Sequence, residues 1–419
     1  MPRIRSWWFR AILFAGSMVL MPVCIASGAG LAGAAPSVPQ DFVHLCHAGN
    51  ATSEEIAATE AAAIANGYRP ESLRARPVQR IGRTAAQPNG VEYGYGYTIT
   101  WSYLRDGFVL PAASQAPGTA PSTLFATMDQ QHSGGFAQWH AKFVEAFARW
   151  EAVTGNRYQF EPEDDGAPLD AVGQGGRRGD VRIGMRAIPG SVLAYNNYPS
   201  SGSDMVLDQD RDWSDTNFFL NVVMHEHGHG LGLDHVCPLD KTKLMEPILN
   251  GITQASLDEI LGSQMLYGDP LNHATSGTSD FRRSRQLILG VAPGAVDDYW
   301  VDRPGIYAVG AQPLGASYLE GPQGQSGCGP ATAINTQFYG DLTVQVLDAG
   351  GNLLVDRNTR SAGFGERAAV RLKADQLPAR VRVGNSSGNY QMYQLIAGNL
   401  LTGKAESRPK ELFRDGFEL

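Results

Sequence analysis

The sequence predicts an α+β domain followed by an all-β sandwich. Three observations carry this. Strand-like runs and amphipathic helices alternate between about residues 91 and 267, whereas from Gln286 to Leu395 only short strands recur between Gly, Pro, Asn and Asp turns. The 419 residues are too many for one ordinary domain. At 43% hydrophobic and 18% charged, the chain can bury a proper core.

The N-terminus reads as an export signal over residues 1–34. Arg3, Arg5 and Arg10 form a basic region, Ala11 to Ile25 is an uncharged apolar run, and Ala32-Gly33-Ala34 offers small residues for cleavage. An uncleaved membrane anchor is the competing interpretation, but the strongly apolar part is short for a span. Cys24 lacks the small residue expected before a lipoprotein cysteine. Cleavage removes three arginines and no acids, taking the net charge from −8 to −11. With no basic run in the mature chain, nucleic acid is not an expected partner. The protein is expected to be secreted, extracellular or periplasmic, monomeric, and without stable membrane association. Export permits disulfides, and Cys46, Cys237 and Cys328 remain, an odd number.

Residues 35–85 are Ala-rich and weakly patterned, with a short helix from Glu54 to Asn66. They read as a leader or pro-segment. Residues 86–270 form the α+β domain. Tyr97 to Trp101 is a strand, and Phe136 to Thr154 is a helix whose Phe136, Trp139, Phe143, Phe147, Trp150 and Val153 share one face, with Gly155 placed to end it. Tyr158 to Phe160 and Val181 to Met185 alternate as strands, and Leu193 to Tyr195 is a short edge strand. Helices follow over Thr216 to Gly230 and Ser256 to Tyr267. Residues 271–284 read as a linker. In the sandwich, 285–397, Asp341 to Leu347 and Leu353 to Val355 form a hairpin around the turn Asp348 to Asn352. Residues 398–419 are a polar tail.

The stretch from His225 to His235 (HEHGHGLGLDH) is the most informative. Residues four apart share a helix face, so His225 and His229 can present two imidazoles to one metal. Glu226 lies about 100° round the helix and can reach a metal-held water without being a ligand. Gly232 can take a positive φ and turn the chain, returning His235 as third ligand. Three nitrogen ligands leave a fourth position for water, the mark of a catalytic zinc site. Zinc would lower the pKa of that water toward about 7, with Glu226 as general base during attack on a carbonyl. His227 points away from the pair. His44, His47, His132, His140 and His273 are scattered and read as solvated or structural.

This motif resembles that of the metzincin metalloproteases, and within them the matrixins. The resemblance runs from about Tyr97 to Tyr267. Leu244-Met245-Glu246-Pro247 is similar to the family's Met-turn, Asp180 to Ile183 to its third strand, and Leu193-Ala194-Tyr195 to its substrate-binding edge strand. Leu207 to Asp210 with Trp213 is similar to its acidic loop. The resemblance implies a zincin-type α-β-α catalytic domain with a twisted mixed sheet, an active-site helix and a Met-turn. It implies a secreted zinc-dependent endopeptidase with one catalytic zinc and a protein or peptide substrate added as a β-strand.

The departures are specific. The family's second, structural zinc needs histidines where this chain has Tyr195 and Val206, so that ion is expected to be missing. A calcium ligand of the acidic loop is replaced by Arg211, although Asp208 and Asp210 could still bind calcium. The pro-segment cysteine motif is absent around Leu45-Cys46-His47. The C-terminal region weakly resembles bacterial pre-peptidase C-terminal domains through Asp297 to Trp300, the Asp341 to Leu347 strand, and Val381 to Val383 with Tyr390 to Tyr393. Two alternatives stand beside the peptidase: a zinc-binding adhesion or scaffold protein, and a zinc hydrolase of a non-protein substrate. A retained Glu226 argues against the first, and the edge strand against the second. For the cysteines, a Cys46–Cys237 disulfide is favoured because Cys328 lies in a separate domain. Cys46 as a cap on the zinc, or three free thiols, are the alternatives.

Overall fold

The computed structural model describes residues 94–237, 239–273, 287–321 and 330–399 without a break, together with the shorter pieces 46–48, 51–52, 54–55, 58–59, 81, 83–87, 89, 279–280, 284, 323–324 and 327–328. The signal region, most of the leader, and the tail beyond Asn399 lie outside the described residues. Of the expected leader helix, residues 54–55 and 58–59 are helical. Among the described residues no helix is long and apolar enough to cross a membrane.

The first half is built on a mixed six-stranded sheet. Its strands are β1 (Cys46–His47), β2 (Thr98–Tyr103), β3 (Arg157–Phe160), β4 (Val181–Arg186), β5 (Val192–Asn196) and β6 (Met205–Asp208), in the order β1-β5-β6-β4-β2-β3. The four strands β3, β2, β4 and β6 are parallel to one another. β5 runs antiparallel to β6, and β1 antiparallel to β5. β4, β5 and β6 are wholly buried, Arg182 of β4 being paired with the buried Asp164.

Four helices accompany the sheet: α1 (Leu124–Gln131), α2 (Phe136–Glu151), α3 (Thr216–Gly230) and α4 (Leu257–Tyr267). The expected face of α2 buries Trp139, Phe143, Phe147 and Trp150 against Trp101 of β2 and Phe219 of α3, while Phe136 at its start stays partly exposed. The helix ends before Gly155, whose N–H instead donates to Gly268 O at 2.8 Å. α1 had no counterpart in the expectation. It is a short helix with two buried residues, Leu124 and Met128, and no side-chain cap, so its periodic signal is weak.

The second half is a sandwich of two sheets. One contains β7 (Leu289–Val291), β9 (Gly305–Leu314), β14 (Glu366–Leu372) and β16 (Gln391–Asn399). The other contains β8 (Val296–Val301), β12 (Gly340–Leu347), β13 (Leu353–Arg357) and β15 (Ala379–Gly388). Alternate residues such as Val309, Leu342, Val344, Val381, Val383 and Tyr393 face inward into one core. The expected hairpin is β12–β13. Two boundaries differ from expectation: Ser279–Asp280, in the supposed linker, pairs with Tyr299 and Trp300, and β16 continues to Asn399. Strands β10 (Ser317–Glu320) and β11 (Thr332–Asn335) form a separate hairpin.

The halves share a seam. Ile260 and Leu261 of α4 pack with Tyr390 and Met392 in one apolar cluster. Beside it Asp269 accepts hydrogen bonds from Leu271 N at 2.8 Å and Gly290 N at 3.1 Å, and the Tyr393 hydroxyl donates to Asp297 Oδ2 at 2.8 Å. Burial, with the nearby Asp269 charge, pushes the Asp297 carboxyl up to about 8, and burial pushes Asp269 up to about 6. A raised carboxyl pKa stabilises the fold while the group is protonated. That contribution is complete below the ordinary pKa near 3.8 and is lost as pH rises toward 8. Asp297→Asn should therefore raise stability at pH 8 and change it little at pH 4. Urea unfolding at both pH values checks this, and an equal effect at both would contradict it.

Candidate metal centre

Helix α3 positions two of the candidate ligands. The Asp215 carboxylate caps its N-terminus, accepting from Asn217 N and Phe218 N. From Phe219 to Gly230 every residue is buried, so the helix passes through the core with little freedom to tilt. Trp150 Nε1 donates to Met224 O at 3.2 Å, tying it to α2. A Cβ on Gly228 would sit 2.4 Å from Met245 Sδ, so only glycine lets Met245 pack this closely against the helix.

Three imidazoles converge at its C-terminal end. His225 Nε2 lies 3.1 Å from His229 Nε2 and 3.2 Å from His235 Nε2. These distances are close to the edge of a tetrahedron with metal–nitrogen bonds of about 2.0–2.1 Å. His225 Nδ1 donates to Leu244 O at 2.8 Å, and His229 Nδ1 donates to Leu233 O at 2.7 Å. A carbonyl oxygen can only accept, so each ring carries its proton on Nδ1 and, when neutral, turns an Nε2 lone pair inward. Facing lone pairs at this distance repel unless a cation lies between them. The donor set thus fits zinc.

The chain returns to the third ligand as expected. Gly232 has φ +93°, and Gly232 N and Leu233 N donate to His229 O and Gly228 O. Val236 N donates to Met245 O at 2.9 Å, which sets His235 beside Met245. Met245 N in turn donates to Glu259 Oε1 at 3.1 Å, while Glu259 Oε2 accepts from Ser256 N at 2.7 Å. Asp234 accepts a short hydrogen bond from Tyr198, whose ring lies 6.2 Å from that of His229. Glu226 is fully buried on the same helix.

Other expected residues fall as follows. His227 points away from the triad; its Nε2 meets the Tyr158 hydroxyl at 2.7 Å, and burial lowers its pKa to about 3. Leu193, Ala194 and Tyr195 are buried on β5, beside α3. Tyr195 and Val206, the positions expected to lack a second zinc, are register partners and pack in one apolar cluster with Leu104 and Leu110. Asp208 is occupied by protein groups: Arg211 Nε donates to Oδ2 at 2.7 Å, and Ile188 N and Asp210 N donate to Oδ1.

Two arrangements were not anticipated. β5 is covered on its outer side by residues 46–48. Cys46 lies opposite Ala194, Ala48 N donates to Ser191 O at 3.2 Å, His47 N donates to Pro247 O, and Leu249 N donates to His47 O. An extended segment thus lies between β5 and Pro247–Leu249. The other is the disulfide, which joins Cys237 to Cys328 rather than to Cys46. The expectation failed because the β10–β11 hairpin reaches back to the α+β half, where Gly321 N donates to Cys237 O at 3.0 Å. Residing in another domain does not keep Cys328 distant.

Metal analysis of dialysed protein should find one zinc per chain, and His225→Ala should abolish tight binding. Two tightly held zincs would show that a second site exists.

The family described as Matrixin matches residues 124–268. Macrophage metalloelastase of Oryctolagus cuniculus is 40% identical over 94 residues, 20% of each chain. Stromelysin-1 of Equus caballus is 39% identical over 93 residues, 20% of this chain and 19% of that protein. The chain thus spans about a fifth of the length of these relatives. Among solved structures, myroilysin aligns over 41% of this chain and 60% of its own at 17% identity, with a TM-score of 0.21, too loose a superposition to bear on the fold. The similarity to the family described as Matrixin is thus confined to residues 124–268, about a third of the chain.

Proposed function

We propose that the protein is a secreted zinc-dependent endopeptidase acting on internal peptide bonds of extracellular proteins. The observation that carries this is the inward convergence of three Nε2 atoms on a buried helix that also bears Glu226. When bound, zinc supplies a Lewis acid for the scissile carbonyl and acidifies the attacking water. His225, His229 and His235 would hold it, and Leu244 O and Leu233 O keep two of those rings in the ligating tautomer. Glu226 is the general base: it accepts the proton that water loses and returns it to the leaving amine. Met245 is the methionine of the Met-turn, supporting the ligands from below.

The substrate is an extended chain. The backbone pattern around residues 46–48 supports this, because a strand between β5 and Pro247–Leu249 finds hydrogen-bond partners on both sides. Leu193, Ala194 and Tyr195 then form one wall of the substrate groove. Residues 35–85 are a pro-segment that covers this groove until removed, after a signal peptide over 1–34. Residues 285–397 serve as an accessory domain of pre-peptidase C-terminal type.

Glu226→Ala should keep its zinc and lose turnover of an internally quenched peptide by at least about a hundredfold. Wild-type turnover in a zinc-loaded Glu226→Ala protein would refute the mechanism.

A further inference from the structure

The connection from His235 to Met245 is a surface loop, yet it carries part of the metal site. It begins at the third ligand, includes Leu244, whose carbonyl orients His225, and ends at Met245. Within itself it is held by Glu246, whose carboxylate accepts from Lys241 N, Thr242 N and Lys243 N. Those bonds fix the shape of the loop, and Val236, Leu244 and Met245 anchor its ends in the main core.

A further hold on it comes from the far end of the sequence. The β10–β11 hairpin touches the loop and its support at three points. Cys328 is disulfide-bonded to Cys237, two residues after the third ligand, and Gly321 N donates to Cys237 O alongside. The Lys243 ammonium, nearly fully buried, lies 5.9 Å from the centre of the Tyr318 ring. The Tyr318 hydroxyl donates to Asp258 at the start of α4, the residue next to Glu259, which in turn holds Met245 N. Both ends of the loop, and the helix end beneath it, are gripped by one hairpin.

We propose that the β10–β11 hairpin of the C-terminal half is a clamp for the metal site, with Cys237–Cys328 and Tyr318 as positioning groups for His235, Leu244 and Met245. The physical argument is one of populations. A released loop samples arrangements in which His235 and the Leu244 carbonyl are out of place, and apparent metal affinity falls in proportion to the fraction that remains competent. The C-terminal half is then part of the catalytic unit rather than a separate module. The proposal rests on the zinc reading above.

The test is zinc affinity of the full-length protein, measured by competition with a chromophoric chelator. The variant is the double substitution Cys237→Ser with Cys328→Ser, because the single change would leave a thiol near the ligands. With near-UV circular dichroism confirming a folded chain, zinc should bind about 10- to 100-fold more weakly, the range seen when groups orienting metal ligands are lost. Tyr318→Phe, which keeps the ring over Lys243, should shift affinity the same way by a smaller factor. A merely stabilising hairpin predicts lower thermal midpoints for zinc-free and zinc-loaded protein alike with affinity unchanged, and that result overturns the proposal. If the double variant does not fold, Tyr318→Phe decides alone: wild-type affinity in that variant refutes the clamp. Wild-type protein that fails to bind zinc would sink the zinc reading, and the clamp with it, a result distinct from tight binding by all three proteins.

Discussion

Two backbone carbonyls govern the chemistry of this molecule. Leu244 O and Leu233 O accept the Nδ1 protons of His225 and His229, and so turn both Nε2 atoms toward the same point. A histidine on a helix can face either way and carry its proton on either nitrogen. Spacing alone therefore yields two rings on one face, not a metal site. The carbonyls make the choice, and each belongs to a segment that must itself be fixed. Leu233 is fixed by the turn at Gly232. Leu244 is fixed by its own burial in the core and through its neighbours, Met245 above all, whose N–H is bound to Glu259. Much of the remaining architecture serves to hold these segments against α3.

That dependence explains the unusual burial of α3. A surface helix has one apolar stripe, but here Phe219 to Gly230 is enclosed all round, including His225, Glu226 and His229. Burying polar side chains is costly unless each has a partner. His227 has Tyr158, and Asn221 accepts from Gly251 N and donates to Ile252 O. The two glycines at 228 and 230 admit close neighbours, Met245 at the first and Asn196 at the second. Enclosure gives the site its rigidity and a low dielectric, in which a charge on Glu226 or on a metal acts strongly.

The grouping of the candidate ligands was legible because the constraint on them is local. His225, His229 and Glu226 are related by helical periodicity, His235 by a glycine turn, and the limits of the active-site helix follow from an acidic cap and the glycine-rich end. The strands β2 and β4 were legible for the same reason, β2 through a run of β-branched and aromatic residues and β4 through alternation. What escaped is non-local. Glu259 belongs to a readable capping box, since Ser256 precedes it by three, but its second task at Met245 joins elements far apart in sequence. Tyr198 with Asp234, Tyr158 with His227, and Cys46–Ala48 along β5 are likewise pairings between distant segments. α1 escaped for a different reason, having too few buried residues to leave a period.

The cysteine pairing shows how such an error arises. Assigning disulfides by domain assumes that domain boundaries in sequence are boundaries in space. The β10–β11 hairpin breaks that assumption, because it leaves the sandwich and lies against the loop after His235. A sandwich supplies its own core, so a hairpin outside it must find cover elsewhere, and Tyr318 finds it over Lys243 and against Asp258. The same economy appears where Tyr195 faces Val206 and Arg211 pairs with Asp208: apolar packing and an internal ion pair fill both places. With those places filled by side chains, the fold draws its support from packing and one cross-link. The three histidines are left as the one group among the described residues arranged so that it could hold a metal.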